Sequence, residues 1–301
     1  MFIINNKKIF FSISAILVAL SIFAVFFYGL NFGIDFKGGS IVEVEYVNER
    51  PSVEIVSGAI KTAGIDNALI QATGEKGYIV RTEVLEESQH SQLLTALSSD
   101  GVNLLEEKRF NSIGPVIGEE LKKKAWFALL AVVLAIILFI AFVFRKVSEP
   151  VSSWKYGLIA IVALLHDIII PVGVFAFLGS IFIDYQIDIL FVMALLAILG
   201  FSVNDTIVVF DRVRENLRIN KREHLHRPFN EIVGESLGQT FARSINTSFT
   251  TLIVLLALFF IGGSSTQHFA LTLSIGVIAG TYSSIFLASP LLVAVEKWQR
   301  K

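Results

Sequence analysis

Residues Trp126–Phe144 read WFALLAVVLAIILFIAFVF, nineteen consecutive positions without a charged side chain. A run close to 20 apolar residues is the length an α-helix needs to cross a hydrocarbon core of ~30 Å. It is too evenly apolar to be one face of a soluble helix. Working outward, five further stretches share its character: Ile9–Tyr28, Tyr156–Leu178, Ile187–Phe210, Ile245–Ile261 and Phe269–Val295. Asn204 and Asp205 interrupt one of these and Pro290 another. Composition agrees, with 54% hydrophobic residues, 17% charged residues, 26 Phe and a mean hydropathy of +0.69. A soluble core cannot hide that much apolar surface, so a polytopic helical membrane protein with six transmembrane helices is expected. A net charge of −1 argues against nucleic acid as a partner. The lack of cysteine excludes disulfides, thiolate metal sites and thiol catalysis.

Between the first and second apolar stretches lies a polar region, which gives three parts. Residues 1–30 form the N-terminus and first span, 31–124 a soluble domain, and 125–301 a five-helix membrane region. Lysine and arginine set the expected orientation. They gather at Lys7 and Lys8, at Arg145, Lys146 and Lys155, along Arg212–Arg227, at Arg243, and at Lys297, Arg300 and Lys301. The short connections near Gly179–Gln186 and Gly262–His268 have none. By the positive-inside rule both termini are cytoplasmic and the soluble domain is external. Lys122, Lys123 and Lys124 close a long translocated domain, where charge counts for little. The first apolar run is too long for a cleaved signal peptide, and no A-x-A-like site follows it.

The external domain alternates strand and helix patterns. Ile41–Val47 has strand alternation, and Val53, Val56, Ile60 and Ala63 recur at helical spacing after Pro51. Ala68–Thr73 and Tyr78–Val84 flank a Gly74–Gly77 turn. Glu86–Ser98 reads as a helix and Val102–Phe110 as a last strand. The order β-α-β-β-α-β predicts a small α+β ferredoxin-like domain. Just before it stands Phe32-Gly33-Ile34-Asp35-Phe36-Lys37-Gly38-Gly39. A ligand site and a structured elbow are both open there, and the missing P-loop pattern favours the elbow.

Polar residues inside the spans are the candidates for function. They are His166 and Asp167 in the third, Asn204 and Asp205 in the fourth, and Arg243 at the start of the fifth. Charge at the bilayer centre costs at least ~2.5–3.5 kcal/mol on insertion scales, so such groups usually face protein or water. Asp205 lies 17 residues from Asp188 and Arg243 lies 18 from Ile261, which sets the two at similar depth on antiparallel helices. Two readings are open. In one, Asp205 and Arg243 form a buried ion pair that locks the bundle. In the other, Asp205 takes up and releases a proton, Arg243 tunes it, and Asp167 extends the path. Gly200-Phe201-Ser202 does not complete a nucleophile elbow, because Asn204 stands where the second glycine belongs. No catalytic or metal site and no cofactor is expected.

Gly276, Gly280, Ser284 and Ala288 form a small-residue stripe, as do Ser244 with Ser248 and Thr247 with Thr251; ordinary helix packing accounts for these. Phe229, Ile232, Val233, Leu237 and Phe241 recur at helical spacing after Pro228. Within a cytoplasmic segment at about 211–242, they predict an amphipathic helix lying on the membrane face.

Several of these segments together resemble the SecF type of the SecD/SecF protein-export family, itself related to the resistance-nodulation-division transporters. They are the elbow with Gly33, Asp35, Phe36, Gly38 and Gly39; Leu165-His166-Asp167; the run Gly200–Asn216 around Asn204 and Asp205; and Arg243–Thr251. The resemblance covers essentially the whole chain. It implies a SecD-like partner that completes a twelve-span bundle, and a task beside the Sec translocon channel on the translocating polypeptide. It further implies the bacterial inner membrane, contact with membrane lipid, and coupling to a proton or, in some bacteria, sodium gradient rather than enzymatic catalysis. Asp205 and Arg243 fall at the family's ion-coupling positions, joined by His166, Asp167 and Asn204. A proton-coupled efflux transporter of the same superfamily and a non-conducting scaffold subunit are the alternatives.

Overall fold

A computed structural model describes residues 2–99, 101–144, 151–182 and 184–299. Arg145, Lys146, Arg300 and Lys301, used above for orientation, lie outside the described residues. In chain order the elements begin with α1 (Phe2–Asn5), α2 (Lys7–Tyr28) and α3 (Ile34–Lys37). The sheet region follows: β1 (Gly39–Tyr46), α4 (Val53–Thr62), β2 (Leu69–Thr73), β3 (Gly77–Thr82), α5 (Glu87–Leu97) and β4 (Leu105–Ile113). Long helices complete the chain: α6 (Pro115–Val143), α7 (Ser153–Ile181), α8 (Ile189–Arg222), α9 (Phe229–Ile261) and α10 (Ser264–Tyr282). A π-helical turn, Ser283–Ala288, joins α10 to α11 (Ser289–Gln299). Two compact units result, one from residues 32–126 and one from 1–31 with 127–301.

In the sheet unit the strand order is β2-β3-β1-β4 with every neighbouring pair antiparallel, which is the split βαβ arrangement. Alternation decides the faces. Val42, Val44 and Tyr46 of β1 and Tyr78 and Val80 of β3 turn inward to meet Val56 and Ile60 of α4 and Leu93 and Leu97 of α5. Tyr46 donates its hydroxyl to Leu97 O at 2.9 Å, and burial pushes that phenol up to about 12. The last strand starts at Leu105, later than the sequence pattern places it. Ahead of it, Gly101 N donates to Ser98 Oγ (3.1 Å) and Asn103 N to Ser98 O (2.9 Å), and Val102 is exposed.

The glycine elbow is a close-packing device in this unit. Gly33 precedes α3, Asp35 sits in its first turn, and Phe36 is buried beneath it. Gly38 and Gly39 have φ of 79° and 130°, a region open chiefly to glycine. A side chain on Gly38 would meet Pro115 Cα at 2.9 Å, and one on Gly39 would meet Thr82 O at 2.8 Å. The two glycines therefore let the chain pass between β3 and the start of α6.

In the helical unit, six helices among the described residues are long and apolar enough to cross a membrane. Glycines set how closely they pack. Gly173 of α7 lies against Ser21 of α2, Gly276 of α10 against Ile198 of α8, and Gly280 against Ser202. At one end, Phe144, Tyr156 and Phe210 stack with ring centroids 5.2–6.0 Å apart, packed with Val213, Phe229 and Val233. Pro290 does not break the last span. It cannot donate a backbone hydrogen bond, and the wider π-turn just before it takes up the gap.

One expectation needs correcting. The segment at 211–242 holds no separate helix lying along a membrane face. Residues up to Arg222 continue α8, and residues from Phe229 open α9 without interruption. The periodicity is real, but its apolar face (Phe229, Ile232, Val233 and Leu237) is buried within this unit instead of facing lipid. Polar bonds zip the two extensions together. Asn216 Nδ2 donates to Ser236 Oγ at 2.8 Å and to Gln239 Oε1 at 2.9 Å, and Arg212 Nε donates to Gln239 Oε1 at 2.6 Å.

Candidate functional site: a polar seam between the helices

The spans are apolar because each side chain facing lipid or another helix must be, so the polar exceptions stand out by burial. His166 and Asp167 occupy the middle of α7, where Asp167 is fully buried and His166 is 4% exposed. Nδ1 of His166 donates to Oδ1 of Asp167 at 2.8 Å. Oδ2 accepts from Ser202 Oγ of α8 at 2.5 Å and from Ser283 Oγ of the π-turn at 2.7 Å. Three donors on three elements thus hold one carboxylate. Pro171, four residues on, cannot donate to the Asp167 carbonyl, so α7 lacks one backbone bond at this level.

The seam continues through hydroxyls. Thr206 Oγ1 and Ser284 Oγ are 3.1 Å apart, and Ser248 Oγ of α9 lies 2.5 Å from Thr281 Oγ1 of α10. Ser283 and Ser284 both bond back to Gly280 O, at 3.1 and 2.8 Å. The π-turn thereby touches the helix of Asp167 with one serine and the helix of Asp205 with the next. Such turns are common at functional positions in helices.

Asp205 is buried in α8 beside Thr206, and its Oδ2 has no hydrogen-bond partner. The Oγ of Ser244 on α9 is the hydroxyl that faces the Asp205 carboxylate. Arg243 is near enough to act on Asp205 electrostatically, yet its side chain is exposed and forms no ion pair among the described residues. Among the described residues Asp205 and Arg243 form no direct ion pair, and Arg243 acts on the carboxylate through space. Asn204 also turns outward, away from the Asp167 cluster. The elbow residues Gly33, Asp35, Phe36, Gly38 and Gly39 belong to the sheet unit and take no part in the seam. Among the described residues no three metal-ligating side chains gather.

Ser202 and Ser283 are the functional neighbours that sequence reading passes over. Ser202 stands inside the run around Asp205, three residues before it, and Ser283 adjoins a serine read as packing. A serine in a span bonds its own helix by default, so only the packing of α7 against α8 and the π-turn singles these two out.

The profile described as Protein export membrane protein SecD/SecF, C-terminal, matches residues 94–298, and the SecD/SecF GG motif matches residues 23–48. The protein translocase subunit SecF of Thermobaculum terrenum is 40% identical over 311 residues, covering 99% of this chain and 94% of that one. The SecF subunit of Pseudomonas aeruginosa is 36% identical over 290 residues, covering 95% and 89%. The crystal structure of SecDF, a translocon-associated membrane protein from Thermus thermophilus, superposes with a TM-score of 0.83 at 32% identity. That match covers 99% of this chain and only 38% of the longer SecDF chain. Family profile, full-length relatives and fold agree, and the chain belongs to the SecD/SecF family of protein export membrane proteins.

Proposed function

We propose that this chain acts as a SecF-type subunit of the bacterial protein-export machinery, using an ion gradient to drive late steps of translocation. The full-length SecF relatives support the task, and the seam supports the mechanism. The observation that carries the mechanism is Asp205: a carboxylate 4% exposed that, among the described residues, forms no ion pair and keeps Oδ2 without a hydrogen-bond partner. A group so placed can take up and release a proton, whereas one locked to a guanidinium is held ionised. His166 and Asp167 form a second station, in which the clamped carboxylate holds the imidazole so that Nε2 is its free, basic nitrogen.

Arg243 and Asn204 face outward from α9 and α8. A cation left facing lipid is costly, so these positions fit coverage by a second membrane subunit of the SecD type. There Arg243 sets the affinity of Asp205 for its proton. In this reading both termini and the α8–α9 extensions are cytoplasmic. The sheet unit lies on the far side of the inner membrane, where it meets the translocon channel and the emerging polypeptide.

Inverted membrane vesicles carrying this chain and its SecD-like partner should translocate a reporter preprotein faster with an ion gradient than without one. Vesicles depleted of the chain should show no difference. Equal stimulation in both would overturn the reading. Because the chain has no cysteine, sidedness is open to direct labelling. A cysteine replacing exposed Ser91 should react with an impermeant thiol reagent added outside, and one replacing exposed Lys221 should not.

A further inference from the structure

Once the seam is accounted for, two buried polar atoms near it remain: Nε2 of His166 and Oγ of Ser14. Both residues are 4% exposed; among the described residues nothing bonds His166 Nε2, and the Tyr282 hydroxyl is the group that stands against Ser14 Oγ. Buried polar atoms in that state are uncommon, and each calls for a ligand or a chemical role.

The two lie at one level of the bundle. Contacts between α2 and α7 advance together along both helices, Ser21 meeting Gly173 and Tyr28 meeting Phe177, with Asn31 just beyond α2 meeting Gly179. The two helices are therefore parallel and side by side. Two turns back from Ser21 is Ser14, and two turns back from Gly173 is His166. Tyr282 of α10 makes the third wall. Its ring stacks on His166 with centroids 5.9 Å apart, its hydroxyl donates to Phe10 O at 3.0 Å, and it lies beside Ser14.

We propose that Ser14 Oγ, the Tyr282 hydroxyl oxygen and His166 Nε2 hold one water molecule, through which protons reach His166, with Ser14 as the positioning residue. Three polar partners are what a buried water ordinarily has. The chemistry follows from the fixed tautomer. Nδ1 keeps its proton against Asp167, so the lone pair on Nε2 faces the water. A proton arriving on that water passes to Nε2, the imidazole becomes imidazolium beside the Asp167 carboxylate, and the water is left neutral. Asp167 orients the ring throughout and is itself held by Ser202 and Ser283, in the way a buried carboxylate supports a catalytic imidazole. Asp167 on the same helix and Tyr282 on α10 are the titratable groups in contact with His166.

The inference rests on the relay reading above, and the experiment separates the two. Gradient-stimulated translocation is measured in inverted vesicles at matched amounts of the chain for His166→Gln, Ser14→Val, Ser14→Thr and Ser14→Ala. Threonine and valine share a shape and differ by the hydroxyl. Stimulation should fall at least about tenfold in His166→Gln, Ser14→Val and Ser14→Ala, and Ser14→Thr should stay within about twofold of the parent. Full stimulation in His166→Gln would remove the relay itself. Lost stimulation in His166→Gln with full stimulation in Ser14→Ala would overturn the water site alone. Should threonine and valine both fail for want of room, Ser14→Ala decides: loss supports the site and retention overturns it.

Discussion

Asp167 and Asp205 sit on adjoining helices and are equally cut off from solvent, yet their surroundings differ in kind. Every oxygen of Asp167 is engaged, by an imidazole and two serines drawn from α7, α8 and the π-turn. Asp205 keeps an oxygen without a partner, and the nearby guanidinium of Arg243 turns outward. A carboxylate surrounded by donors is fixed in place; one with an open oxygen keeps the capacity to bind. The difference teaches that burial alone does not decide what a buried carboxylate can do, and that its hydrogen bonding does.

The largest effect that could break this comparison is on stability. Asp167→Ala strands His166 Nδ1, Ser202 Oγ and Ser283 Oγ, and each orphaned buried donor costs roughly 1–3 kcal/mol. Thermal unfolding of the purified chain with its partner should show a loss of several kcal/mol. Asp205→Ala removes a buried carboxyl with an unpartnered oxygen and should leave the midpoint unchanged or raise it. Equal losses would erase the distinction between the two sites.

A middle-sized effect comes from prising the seam open. Gly276→Leu drives a side chain into Ile198, parting α10 from α8 and loosening the contact of Ser202 with Asp167. Overpacking of this kind costs about 1–3 kcal/mol. Gly200→Ala, where an added methyl meets nothing within 4 Å, is the matched control and should be neutral or slightly stabilising.

The smallest effect concerns Arg243. With no ion pair to break, Arg243→Gln should shift the stability of the chain alone by no more than about 0.5 kcal/mol. A larger shift that appears only when the SecD-like partner is bound would place Arg243 at that interface. A large shift in the isolated chain would restore the ion-pair lock.

Much of this was legible in the sequence. Six spans follow from run length, and the split βαβ unit follows from alternation around Gly74–Gly77 and the helical spacing of Val56 and Ile60. Those signals depend on period and length, which a chain carries in one dimension. The side-chain partners were not legible. Asp205 and Arg243 share a depth, but depth leaves helix rotation free, so spacing does not say whether the two bond directly. Ser202 and Ser283 are 81 residues apart and meet only because Gly280 lets α10 approach α8. Phe229–Phe241 kept its periodicity but buried its face against α8, because nothing in a local pattern says whether lipid or protein will cover it.

The central proposal is that Asp205 carries the ion that couples to export while Asp167 is a structural clamp. Asp205→Asn keeps the shape and removes the titrating group. In inverted vesicles it should leave nucleotide-driven translocation of a reporter preprotein intact and abolish the stimulation that an ion gradient adds. Undiminished stimulation in Asp205→Asn would contradict the account.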